Sequence, residues 1–107
     1  FRRAYQAGVK IAAGSDAGMP LVDHGTNARE LIEFVKAGMD EMEVIDSSTR
    51  VAAEALGIEE KVGTVTKGKI ADIIIVKENP IEDIGVLTIN ENIKMIIKDG
   101  DIVKSTN

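Results

Sequence analysis

Four consecutive β-branched residues, Ile73-Ile74-Ile75-Val76, close the segment from Ile70 to Val76 and leave it few places to go. Successive side chains of a strand point to opposite faces, so a strand built from this run is apolar on both. Such a surface has high β-propensity and is too apolar to leave in water. The run is therefore expected as a central strand with both faces covered. In 107 residues that cover has to come from the chain's own helices or from another subunit.

Turn and strand signals surround the run. Gly63-Thr64-Val65-Thr66 reads as strand-forming sequence leading into a Lys67-Gly68-Lys69 turn. Asn79-Pro80 breaks the central run, and Ile81 to Leu87 reads as a short turn or a single helical turn. Ile93 to Lys98 and Asp101 to Lys104 flank Asp99-Gly100, a dipeptide suited to the left-handed φ values of a tight hairpin. Residues 61–107 are expected to form a small β unit.

The first 60 residues have a different rhythm. Phe1, Ala4 and Tyr5 share one helical face, and Gly8 is placed to end that helix. Val9 to Ala13 follows as a short apolar run between glycines, which predicts a buried strand at about 9–13. A helix, a glycine stop and a buried strand make the αβ half of a βαβ unit. Asn27 with Glu30, and Asp40 with Glu43, have the spacing of capping boxes, predicting helices over about 27–37 and 41–46. A third helix is expected over about 48–56, with Val51, Ala52, Ala55 and Leu56 inward and Gly57 as its stop.

The strand at 9–13 runs into Gly14-Ser15-Asp16-Ala17-Gly18 and so carries Asp16 to its carboxyl end, where parallel α/β sheets and barrels keep their chemistry. Glycines on either side of the acid permit unusual φ values and close approach of a ligand. Asp16 is the leading functional candidate, and a plain turn-capping role fits the same local pattern. The loop from Met19 to Thr26 follows, and His24 within it could face the same mouth or stand as a solvated side chain.

Composition removes several function classes. With 13 basic and 18 acidic residues the formal net charge is −5, and the scattered lysines form no stripe for nucleic acid. No apolar run approaches membrane-spanning length. The absence of cysteine excludes disulfides, thiolate catalysis and thiolate metal ligands, and is compatible with a reducing cytoplasm. A complete (β/α)8 barrel takes about 250 residues, so a barrel strand at 9–13 would belong to a barrel lying mostly outside this sequence. The chain opens on Phe1 rather than Met, as a cleavage point or a truncated gene would leave it.

Taken in order, Gly14-Ser15-Asp16-Ala17-Gly18, His24-Gly25, Glu30-Leu31, Lys36-Ala37-Gly38-Met39, Ala55-Leu56-Gly57 and Gly68-Lys69-Ile70-Ala71-Asp72-Ile73 resemble the carboxyl-terminal part of a metal-dependent amidohydrolase. The likeness is to the imidazolonepropionase and Xaa-Pro dipeptidase-like branch, and Asn79-Pro80 and Lys98-Asp99-Gly100-Asp101 fit the same ending. The resemblance implies an α/β fold. Residues 1–60 would be the last βα portion of a (β/α)8 barrel, with 9–13 as its eighth strand, and residues 61–107 the carboxyl-terminal strands of a small β-sandwich.

It also implies chemistry. The acid matching Asp16 ligates a divalent metal, commonly zinc, and passes a proton from the attacking water to the leaving amine. Metal coordination lowers the pKa of such a water to about 7. His24 matches a histidine near the substrate mouth. The family's other ligands, a His-x-His pair, a Lys or Glu bridge and two further histidines, have no counterpart in this sequence. Zinc wants about three protein ligands, so this chain alone is expected to bind none and to be inactive. The expected function is hydrolysis of a C–N bond by the parent enzyme, on a small amide, cyclic amide or peptide. The alternative is a non-catalytic structural or interaction module derived from that family. Exposed apolar strand faces predict a homo-oligomer.

Overall fold

A computed structural model describes residues 1–21 and 23–106. Its helices are α1 (Arg2–Gln6), α2 (Ala28–Lys36), α3 (Glu41–Ser48) and α4 (Arg50–Leu56), and its strands are β1 (Ile73–Val76), β2 (Ile93–Lys98) and β3 (Asp101–Ser105). Short 3-10 helices at Ile84–Thr88 and Asn90–Asn92 join β1 to β2.

Three helices stop on a shared device. At the end of α2, Gly38 takes φ +113, its N–H donates to Val35 O at 2.9 Å, and Met39 N–H donates to Phe34 O at 3.2 Å. This is the Schellman pattern, and Phe34 and Met39 are both buried beside it. Helix α4 closes in the same way at Gly57, and α1 at Gly8.

The helix starts differ from one another. At α3 the capping box forms: Asp40 accepts from Glu43 N–H at 2.8 Å, and Glu43 Oε2 accepts from Asp40 N–H at 3.2 Å. The same Glu43 oxygen accepts from the Tyr5 hydroxyl, which ties α1 to α3 and pushes the Tyr5 phenol up from its ordinary pKa. At α2 the expected box is absent. Asn27 already has helical backbone (φ −58, ψ −27), whereas a capping residue needs an extended one to turn its side chain onto the next amides. The helix expected over 48–56 begins at Arg50, because Thr49 breaks the path and its hydroxyl bonds back to Ile45 O.

Leu31 and Phe34, one turn apart on α2, pack with Met39, Val44 of α3 and Ile84 of the 3-10 helix to form the buried core. Val44 is fully buried. Burying each such side chain is worth about 1.5–3 kcal/mol.

The β half is one antiparallel sheet of order β1-β2-β3, with Ile74 opposite Ile96 and Ile96 opposite Lys104. The hairpin joins β2 to β3 as expected, with Asp99 at φ +52 and Gly100 at φ +85, the two left-handed residues of a type I′ turn. Its tip docks on the approach to β1: Asp72 accepts from Asp99 N–H at 2.8 Å, and Gly100 N–H donates to Ala71 O.

Two strand expectations need correction. β1 is an edge strand rather than a central one, and Ile74 remains 60% exposed. Residues 63–66 form no strand, and Gly63 packs against Ala53 of α4. Residues 9–13 pair with no strand among the described residues, whose three strands all lie in the other half. They run alongside α3 in its place.

Candidate functional site

The approach to Asp16 is built from backbone held by side chains. Ala13 N–H donates to Ser47 O at 2.9 Å, and Ser47 Oγ donates to Ile11 O at 2.7 Å. Ser47 is almost completely buried, so both bonds are shielded from water. A second tie comes from Lys10, whose ammonium meets Glu54 at 2.9 Å. Glu54 also accepts from Arg50, which forms a two-pronged pair with Asp46 on the preceding turn. Lys10 first, and then Arg50, hold the Glu54 carboxyl below its ordinary pKa, against partial desolvation that acts the other way.

Beyond Ala13 the chain emerges into solvent, and Asp16 is exposed. Asp16 opens a β-turn in which Met19 N–H donates to Asp16 O at 3.0 Å. The third residue of that turn, Gly18, has φ +95, the positive value that a type II turn demands there. The loop returns so that the His24 imidazole lies against Gly18: a Cβ placed on Gly18 would stand 3.2 Å from His24 Nε2 and 3.6 Å from Cε1. Thr26 then closes the loop, its hydroxyl donating to Asp23 O at 2.7 Å. The structure thus brings His24 onto the turn that begins at Asp16. Both residues expected to matter share one exposed loop.

As a metal centre the arrangement is incomplete. Among the described residues, no three His, Cys, Asp or Glu side chains stand close enough together to hold a metal ion. As a ligand Asp16 would offer one carboxylate where zinc needs about three protein groups, so the described residues do not by themselves fit the metal. A depression of about 290 Å³, bordered by Tyr5, Lys10, Ile11, Glu43, Asp46 and Ser47, includes neither Asp16 nor His24.

Residues 1–103 match the model of the amidohydrolase family. The chain belongs to that family. A curated amidohydrolase relative, ochratoxinase from Aspergillus niger, is 33% identical over 106 residues, 97% of this chain and 21% of the relative. Among solved structures, a Xaa-Pro dipeptidase with methionine bound in its active site is 49% identical with a TM-score of 0.88 over 97% of this chain and 24% of that one. The crystal structure of the A. niger ochratoxinase superposes with a TM-score of 0.86 over 97% of this chain and 24% of its own. The chain therefore spans between a fifth and a quarter of the length of these amidohydrolases.

Two residues that shape the site were missed in the sequence. Ser47 falls there between the helices expected over 41–46 and 48–56, and nothing in its neighbours announces a bond to Ile11, 36 positions away. Gly18 was legible as a backbone permitting positive φ, whereas its contact with His24 depends on how the loop returns.

Proposed function

We propose that this chain is the carboxyl-terminal part of a metal-dependent amidohydrolase that hydrolyses the C–N bond of an amide, cyclic amide or dipeptide. In this reading residues 1–60 are the last βα portion of a (β/α)8 barrel, with 9–13 as a barrel strand whose ladder partners come from the rest of the enzyme. Residues 61–107 contribute strands to a small β-sandwich. The observation that carries the reading is the likeness to the Xaa-Pro dipeptidase, at 49% identity over nearly the whole chain. It is supported by the position of Asp16, exposed just beyond the segment that Ser47 holds in place.

The family generally uses a divalent metal, for which zinc is the proposed ion, and this chain contributes Asp16 to a ligand set completed elsewhere in the assembled enzyme. Asp16 also moves the proton: its carboxylate oxygen takes one from the attacking water and returns it to the departing amine. His24, on the same loop, touches the substrate. The chain by itself has no turnover. The enzyme is cytoplasmic, and its protomers associate.

The test is Asp16→Asn in the full-length enzyme. An amide cannot accept the proton, so turnover of a dipeptide or cyclic amide should fall to background while the protein stays folded by circular dichroism. Turnover like that of the wild type overturns the assignment. His24→Ala in the same enzyme should raise KM more than it lowers kcat, and an unchanged KM removes His24 from the substrate site.

A further inference from the structure

We propose that Gly18 is a positioning residue for His24: the absence of a side chain at Gly18 provides the seat on which the imidazole rests beside the Asp16 turn. Two independent requirements meet at this position. The turn Asp16–Met19 needs a positive φ at its third residue, and Gly18 has φ +95. The space above the same Cα is taken by His24, with Nε2 at 3.2 Å and Cε1 at 3.6 Å from where a Cβ would stand. A Cβ–N contact of 3.2 Å is tighter than ordinary packing, so any side chain at this position moves the ring.

The first requirement alone would accept asparagine, which tolerates left-handed backbone better than other residues with a Cβ. The second favours glycine, because the ring has to shift by a few tenths of an ångström to admit a Cβ. Gly25, next to His24, shows the contrast: it has φ +85, but a Cβ there would meet nothing within 4 Å. At Gly18 backbone freedom and side-chain room are both used. The consequence is that a bare Gly18 leaves the imidazole room beside the turn that Asp16 opens.

The catalytic meaning of this seat rests on the reading of His24 as a substrate contact, but the contact itself can be tested without any turnover. His24 is the only histidine of the chain, so its ring gives a single Cε1–Hε1 correlation in a proton–carbon NMR spectrum. The wild-type chain is expected to show a cross-relaxation peak between Gly18 Hα and His24 Hε1. Gly18→Ala and Gly18→Asn should both abolish that peak and displace the ring resonance, by similar amounts. The proposal is overturned if the wild type lacks the peak, or if Gly18→Asn leaves the ring resonance where it was, since Gly18 would then serve the turn alone. Circular dichroism on both variants confirms that the helices persist, which separates a displaced ring from an unfolded chain.

Discussion

Gly63→Ala tests how the two halves of the chain are joined. Gly63 lies in the connection after α4 with φ +97, and a Cβ there would stand 2.7 Å from Ala53 Cβ, 3.2 Å from Thr49 O and 3.3 Å from Arg50 Cα. Two of those neighbours are backbone, which cannot step aside as a flexible side chain would. Strain from placing alanine at this φ is about 1–3 kcal/mol. Overpacking against α4 adds about 1–3 kcal/mol, and the lower entropy of the unfolded alanine chain returns roughly 0.4–1 kcal/mol. The net loss is about 1–6 kcal/mol, a large share of the stability of a small domain. Gly68→Ala is the matched control, because Gly68 has φ +94 and a Cβ on it meets nothing within 4 Å. It carries the strain without the collision and should lose about 0–3 kcal/mol. The assay is urea unfolding followed by circular dichroism, comparing midpoints at constant m. Equal losses for the two variants would refute the close packing of Gly63 on α4. Removing the opposing methyl with Ala53→Gly should make Gly63→Ala less damaging than it is in the wild-type background.

Further outcomes follow from the bonds around the site. Ser47→Ala should destabilise the chain by about 1–3 kcal/mol, since it leaves the carbonyl of Ile11 without its donor, and amide exchange at Ala13 should quicken as the segment loosens. The Glu54 carboxyl is held below its ordinary value near 4.5, chiefly by the hydrogen bond from Lys10. Its contribution is therefore present above the unfolded pKa and lost as pH falls through the lower folded one. Thermal midpoints should accordingly drop as pH is lowered below about 4.5, and less steeply in Lys10→Gln, where the Glu54 carboxyl signal should titrate nearer its ordinary position. The isolated chain should scatter light with a mass greater than one protomer, because Ile74, Ile75, Ile102 and Val103 leave apolar surface on the sheet. A monomer at moderate concentration contradicts that expectation.

Legibility followed the reach of each interaction along the chain. The glycine stops at Gly8 and Gly57, the Asp40–Glu43 box and the Asp99-Gly100 turn were readable because donor, acceptor and backbone angle lie within a few residues of one another. The Asn27 box failed for a reason outside its own spacing: the turn closed by Thr26 brings Asn27 into the helix already coiled. Ser47 to Ile11, and Gly63 against Ala53, depend on which segments the core brings together, and no local pattern encodes them. Asp16 was legible from its bracketing glycines, whereas the sequence left His24 between that mouth and open solvent, and the structure sets it on the turn that Asp16 opens.

The strand expectations show what apolarity can and cannot say. A run such as Ile73 to Val76 states how much cover a strand needs, and residues 9–13 state that an extended segment needs a ladder; neither states where the partner lies in the sequence. Both demands are only partly met within these residues: β1 has a free edge and a 60% exposed Ile74, and 9–13 leans on the side chain and backbone of one serine. Under the proposed reading the same larger enzyme answers both, flanking 9–13 with barrel strands and covering β1 with the rest of the sandwich. That makes a joint prediction. In the full-length protein the amides of 9–13 and the outer edge of β1 should exchange with solvent far more slowly than in the isolated chain, whereas those of α3, already packed around Val44, should change little. If the amides of 9–13 exchange equally fast in both, that segment is no barrel strand and the proposed place of Asp16 fails with it.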